Sequence, residues 1–319
     1  MPGAIAGVEG DVRAPVTTSA SARASDPMVA WLDDADVERD RIGGKAASLN
    51  RLAAFGFRIP PGFCLTTDAF VIQAAGLPGS AILRADPSAL LDPSTRVGLV
   101  EAMVAGPLSP AVARGLAGPL ARLVGHHLGE SAEPPLLAIR SSSVAEDGAT
   151  ASYAGLHDTE LGLTADEVAP AVLRCWASLW SERAVGYRAG RGLPLDGDAM
   201  AVVVQALVPA QAAAIVFTRH PVSGRPDQLL INAAPNLGEA MVSGLVTPDT
   251  IVVDKARRTV VEFTPGDSGG GPVLADDVRE ELVTLCLEVE RTFGAPVDVE
   301  AALAADGWYL LQARPITTP

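Results

Sequence analysis

Basic residues, cysteine, histidine and aromatics are all scarce in this chain of 319 residues. Lysine and arginine number 24 against 38 aspartates and glutamates, a formal net charge of −14. That balance excludes a sequence-independent nucleic-acid binder, which needs a basic footprint on phosphate. It also means that any polyanion is held by a few cations gathered locally. The three cysteines, Cys64, Cys175 and Cys286, are odd in number, far apart and outside any metal-ligand spacing. They exclude a disulfide framework and fit a reduced, cytoplasmic setting. No apolar run reaches the ~20 residues that span a bilayer, so no membrane partner is expected.

What is present is an apolar fraction of 48%, enough for a sizeable core and two lobes. Residues 1–27 are rich in Ala, Ser, Gly and Pro and have no signal-type apolar stretch; they are expected to be a disordered tail. Beyond them, helical and strand patterns alternate. A helix opened by Gly43-Gly44-Lys45 carries Ala46, Leu49, Leu52 and Ala53 and is closed by Gly56. Short strands are expected at Phe63–Thr66, Leu136–Arg140, Met200–Val208, Ala214–Thr218, Gln228–Asn232 and Thr250–Asp254. One long helix is expected over Asp166–Arg188 and another over Asp276–Phe293, followed by a closing hairpin. The layout is α+β, with lobes at 28–200 and 201–319.

The hairpin carries the sharpest chemical signal. Glu300 on its first strand, with Gln312 and Arg314 on its second, suits a metal-bound polyphosphate: a carboxylate for the cation, an amide beside it, a guanidinium for phosphate oxygens. The two strands impose a register condition. Glu300 and Gln312 share a face only as direct partners across a loop centred on Asp306, which requires an odd-length or bulged connection.

Other candidates are weaker alone. Lys45 at a helix start suits an anion, although such a Gly-Gly-Lys is more often structural. Arg140 ends an apolar strand before Ser141-Ser142-Ser143 and suits either a ligand or a surface ion pair. The small residues from Gly148 to Gly155, with Ser152 among them, let backbone amides approach phosphate, or form a plain flexible loop. Thr159 offers a hydroxyl to a phosphate or a metal-bound water. Gln205, inside a buried strand, fits an adenine contact or a satisfied core amide. Asn232 and the following Pro235–Glu239 are expected in a loop, where Glu239 reaches metal or ribose, or caps a helix. Of the histidines, His126 and His127 read as solvated, His157 as a possible nucleotide contact and His220 as structural.

Taken together, four blocks resemble the nucleotide-binding domain of the phosphoenolpyruvate synthase and pyruvate phosphate dikinase family, which includes rifampin phosphotransferase. They are Ile42–Leu49 with Ile59–Phe63, Ile139–Asp147 with Ser152–Gly155, Asn232–Glu239 with Val246–Asp249, and Asp298–Glu300 with Leu311–Pro315. The resemblance implies an ATP-grasp fold, two lobes clamping ATP between sheets. By its motifs Lys45 and Arg140 hold phosphates, the Ser152–Gly155 loop folds over them with Thr159 nearby, and Gln205 to Val208, including Leu207, form the hinge strand beside adenine. Glu300 and Gln312 hold Mg2+, and Arg314 contacts the terminal phosphates. Lys45, Arg140 and Arg314 are the expected catalytic side chains.

Family enzymes pass the β-phosphoryl group of ATP to a histidine on a separate swivelling domain and release AMP and phosphate. None of the four histidines here has the Ser-His, Gly-rich setting of that residue. The leading expectation is therefore an ATP- and Mg2+-binding phosphotransferase subunit that serves a phosphohistidine domain on another polypeptide. The alternatives are a kinase or ligase acting directly on an unknown small-molecule acceptor, or a non-catalytic ATP-binding module.

Overall fold

In a computed structural model, which describes residues 26–35, 37–125, 133–144, 159–195, 199–236, 246–267 and 271–316, the apolar segments pair into two antiparallel sheets. The expected tail, up to residue 25, lies outside the described residues. So do Ser152, Gly155, Glu239, His126, His127 and His157.

The first sheet has the order β1-β2-β5-β3-β4, built from β1 (Val29–Trp31), β2 (Gly62–Leu65), β3 (Leu137–Ser143), β4 (Thr159–Leu163) and β5 (Met200–Ala206). Its helices are α1 (Arg39–Ala54), α2 (Thr67–Ala75), α3 (Ser80–Ala85), α4 (Pro93–Ala105), α5 (Pro110–Val124), α6 (Val168–Ala177) and α7 (Glu182–Gly190). Successive strand residues face opposite ways. Phe63, Leu65, Ile139, Val202 and Val204 therefore join a core with Phe70, Met103, Val112 and Trp176 from the outer helices. Ala30, Cys64, Ala201 and Val203 face the other way, onto Ile42, Ala46 and Leu49 of α1. Central strand β5 is buried on both faces, which is why it lacks polar alternation.

The second sheet has the order β11-β10-β6-β7-β8-β9, from β6 (Ala212–Phe217), β7 (Gln228–Pro235), β8 (Asp249–Asp254), β9 (Val260–Thr264), β10 (Val297–Ala304) and β11 (Gly307–Pro315). Ala214, Val216, Ile231, Ile251 and Val299 pack with Leu282, Cys286 and Val289 of α8 (Asp276–Phe293). The alternate positions Ile215, Phe217, Asn232 and Thr250 turn away from α8, onto the face that carries Glu300.

Several expectations are corrected. The helix over Asp166–Arg188 is broken: Ser181 is extended and caps α7, its Oγ accepting from the Ala184 N–H at 3.2 Å. Buried Arg188 fills the break, donating to the carbonyls of Leu179 at 2.7 Å and Ala184 at 3.3 Å. Val168, Val172, Cys175, Trp176 and Leu179 do face inward. Asn232 lies within β7 rather than in a loop after it. Strand β5 belongs to the first sheet, and the chain passes to the second sheet after Ala206.

Residues 207–211 cross between the sheets. The Leu207 N–H donates to Leu136 O at 2.7 Å and the Gln211 N–H to Leu303 O at 2.7 Å. Val208 packs under this crossing with Ala302, Ala304 and Tyr309. Helix α1 bridges as well, with Leu49 in the first lobe's core and Leu52 in the second's. Fully burying each leucine stabilises the fold by about 1.5–3 kcal/mol.

Candidate functional site

The site begins with a parity problem in the closing hairpin. From the turn, Ala304 pairs with Gly307 and Ala301 with Leu310, which leaves a two-residue connection, Ala305-Asp306. Continued without interruption, that register would place Gln312 on the face occupied by Trp308 and Leu310, inside the core beneath α8. A β-bulge between Glu300 and Ala301 adds one residue, Leu311, to the second strand. Beyond it Glu300 faces Gln312 and Asp298 faces Arg314. The expected pairing of Glu300 with Gln312 is therefore present, with the extra residue carried by the strand rather than by the loop. The bulge gathers four polar side chains on one face while Val297, Val299 and Ala313 stay in the core.

The tip of the hairpin is tied down by Arg58, which donates to the Asp306 carboxylate and, at 2.7 Å, to the Tyr309 hydroxyl, and lies over the Tyr309 ring. Burial raises the Asp306 carboxyl, but the Tyr309 hydroxyl and Arg58 outweigh it and hold the group below its ordinary range. Burial and the bond to Asp306 raise the Tyr309 phenol.

Arg140 comes from the other sheet. It sits in β3 opposite Thr159 of β4, so the expected Thr159 hydroxyl stands on its face. The guanidinium crosses to the hairpin: Nη1 donates to Leu311 O at 2.7 Å, and Nη2 to Glu300 Oε2 at 3.2 Å and Gln312 Oε1 at 3.0 Å. The carbonyl it takes belongs to the bulge residue. Arg140 is largely covered, its side chain 12% exposed against 34% for Glu300.

Arg314 is held in the same patch. Its Nε and Nη2 both donate to Asp298 Oδ2, at 2.9 and 2.8 Å, which fixes the guanidinium beside Glu300. Asp298 had no role of its own in the sequence reading. The signal for it was present: it lies two residues before Glu300, on the same face, and opposite Arg314.

Lys45 joins through α1. Gly43 interrupts the helix at φ 72°, ψ 178°, a backbone region open essentially to glycine. This brings the segment against Ser142, whose hydroxyl donates to Ile42 O at 2.7 Å and accepts from the Ala46 N–H at 3.0 Å. Lys45 Nζ lies 3.4 Å from Ser141 Oγ, next to Arg140 in sequence. One turn on, Ser48 Oγ donates to Ala313 O and accepts from the Ala313 N–H at 3.2 Å. A single helix therefore references the lysine to both β3 and β11.

Two residues expected beside adenine lie apart from this cluster. The Gln205 side chain is a satisfied core amide: it is 2% exposed, Nε2 donates to Pro60 O at 2.9 Å, and β5 is paired on both edges. Leu207 lies just past the end of β5, at the start of the crossing between the sheets. His220 is structural, its Nδ1 accepting the N–H groups of Val222 and Ser223, each at 3.2 Å.

The donor chemistry fits a magnesium ion. The Glu300 and Gln312 oxygens converge on one Arg140 nitrogen, so they point at a common locus. Mg2+ takes one or two hard oxygen ligands from protein and completes its shell with phosphate and water. Among the described residues no cluster of three or more His, Cys, Asp or Glu is placed to hold a metal by itself. Nor is any described helix long and apolar enough to cross a membrane.

Comparison with known proteins shows which family the chain resembles. The chain is 38% identical to a rifampicin phosphotransferase of Streptomyces over 91% of its length and 36% of the relative's. It is 36% identical to the prodigiosin synthesizing transferase PigC of Serratia marcescens, over 89% of this chain and 32% of that one. It is also 36% identical to a probable phosphoenolpyruvate synthase of Methanocaldococcus jannaschii, over 91% of this chain and 27% of that one. The chain thus spans about a third of the length of these relatives. Residues 39–268 match the family described as pyruvate phosphate dikinase, AMP/ATP-binding domain, and the chain belongs to that family.

Proposed function

We propose that this domain, in an ATP-grasp arrangement, holds Mg-ATP between its two sheets and works as an ATP-dependent phosphotransferase. The observation that carries the reading is the meeting of Arg140, from the first sheet, with Glu300 and Gln312 on the hairpin of the second, beside the Arg314–Asp298 pair. Phosphoryl transfer asks little covalent chemistry of a protein and much positioning and charge neutralisation.

Lys45, Arg140 and Arg314 bring positive charge from three elements to bind and orient the polyphosphate. Glu300 and Gln312 hold the cation, and Asp298 fixes the Arg314 fork. Magnesium, when bound, withdraws charge from the phosphate oxygens in the transition state. Residues 207–211, lying where the chain passes between sheets, supply backbone groups to the adenine edge, the role expected of Leu207. The shared acceptor chemistry is a histidine on a separate domain: that imidazole takes the β-phosphoryl group, AMP leaves, and water takes the γ-phosphoryl group to give phosphate. A second reading, direct phosphorylation of a small molecule with ADP as product, draws on the relatives named rifampicin phosphotransferase.

The test is the nucleotide product. The protein is incubated with Mg-ATP, with and without a phosphohistidine-domain partner, and the nucleotides are separated. AMP formed only with the partner supports the first reading, and ADP formed with a small acceptor and no partner supports the second. Binding without turnover in every mixture would overturn both.

A further inference from the structure

We propose that Arg140 is the stand-in cation of the nucleotide-free site. Its guanidinium and a divalent ion compete for the same oxygens, and Arg140 gives them up when the nucleotide arrives. This rests on the reading of Glu300 and Gln312 as the cation site.

Three acceptors of different kinds converge on one guanidinium: a carboxylate, an amide oxygen and the carbonyl of the bulge residue Leu311. Two of these are the pair suited to the metal. A magnesium ion lies about 2.0–2.1 Å from its oxygen ligands. Arg140 Nη2 lies 3.0 Å from Gln312 Oε1 and 3.2 Å from Glu300 Oε2. An ion bound to both oxygens on the side that faces Arg140 would overlap that nitrogen. Arginine keeps its charge at all working pH values, so the conflict is electrostatic as well as steric. Arg140 is held in β3 through its backbone pairing, so its side chain can change partners without a change of strand register. Its fork suits phosphate oxygens as well as it suits carboxylate.

Two consequences follow. The nucleotide-free site is guarded against stray divalent ions, because its one strong ligand is already neutralised. The docked guanidinium also ties the first sheet to the second until phosphate replaces carboxylate as its partner. Metal and nucleotide therefore enter together: phosphate draws Arg140 away and so frees the oxygens that the ion needs.

The test uses Mn2+ alone, titrated without nucleotide and read by the paramagnetic resonance signal of the free ion. Wild type is compared with Arg140→Met, Arg140→Lys and Glu300→Gln. Charge-assisted hydrogen bonds of this kind correspond to about tenfold to a hundredfold in affinity, so Arg140→Met should bind Mn2+ tighter by that factor. Arg140→Lys keeps the charge and should stay within a few-fold of wild type. Arg140→Gln, a neutral polar side chain, replaces the methionine variant if that one does not fold. If the neutral variants bind Mn2+ no tighter than wild type while Glu300→Gln weakens binding, the competition is refuted and the cation site stands. If Glu300→Gln also leaves Mn2+ binding unchanged, the cation-site reading falls and the competition with it.

Discussion

Replacing Gly43 by alanine probes the junction on which the whole site depends. The new Cβ would lie 2.6 Å from Ser142 Oγ, 2.5 Å from the Ser142 carbonyl carbon, and closer still to the carbonyl oxygen. Two of those atoms are backbone inside a paired strand, so they cannot rotate away. At φ 72°, ψ 178° a residue with a side chain also carries about 1–3 kcal/mol of backbone strain. Pushing Ser142 aside strands the Ile42 carbonyl and the Ala46 N–H, at about 1–3 kcal/mol for each buried group left without a partner. Summed with allowance for partial relaxation, the loss is roughly 3–6 kcal/mol. That is a large fraction of the ~5–15 kcal/mol that holds a typical domain. The melting temperature should fall by at least ~6 °C, at about 2–4 °C per kcal/mol. Because Lys45 is two residues away, ATP affinity should fall as well. Gly98→Ala is the matched control: it lies inside α4, its Cβ would meet nothing within 4 Å, and it should stabilise by about 0.4–1 kcal/mol. Thermal and urea unfolding read both variants. A Gly43→Ala protein within 1 kcal/mol of wild type, with unchanged ATP binding, would refute the close-approach argument.

Other perturbations separate site from scaffold. Glu300→Gln should lower kcat/KM in the ATP-dependent reaction by roughly 100-fold or more while leaving the melting temperature near that of wild type, since the side chain is one-third exposed. Burial pushes the Cys64 and Cys286 thiols far above their ordinary range, and Cys175 is also buried, so a thiol reagent at pH 8 should label the folded protein in none of these positions and all three after denaturation. The Asp306 carboxyl is held below its ordinary 3.8, so its contribution to stability is present above that pH and is lost as pH falls through the lowered value. Melting curves from pH 6 down to pH 3 should therefore drop less steeply for Asp306→Asn than for wild type, and parallel curves would count against the assigned cause.

The legibility of this fold in its sequence follows physical lines. Helix α8 begins and ends where its apolar spacing and Gly294 place it, because a two-sided helix on a sheet leaves a strong periodic trace. The Glu300–Gln312 pairing was readable because parity in a hairpin is all or nothing. The means of reaching it was not, since a tight turn plus a bulge and an odd-length loop give the same pairing. Edge strands β4 and β9 left little trace: β9 is exposed along its whole length, and β4 contains Gly162 at φ 75°. The long helix over Asp166–Arg188 was overextended because the residues on both sides of Ser181 keep helical spacing. Gln205 reads as a candidate because it is polar within an apolar strand and belongs to the stretch that the resemblance sets beside adenine, whereas its partner, the Pro60 carbonyl, lies 145 positions away. The role of Ser142 depends on which helix faces it, and no local spacing encodes that.

The central claim is that the nucleotide is gripped where the two sheets meet, by Arg140, Glu300, Gln312 and Arg314. Calorimetric titration of ATP with Mg2+ into wild type, Glu300→Gln and Arg314→Met tests it most directly. The account predicts saturable one-site binding to wild type and at least about tenfold weaker binding to each variant, given the loss of a charge-assisted contact. Equal affinity in all three folded proteins would contradict it.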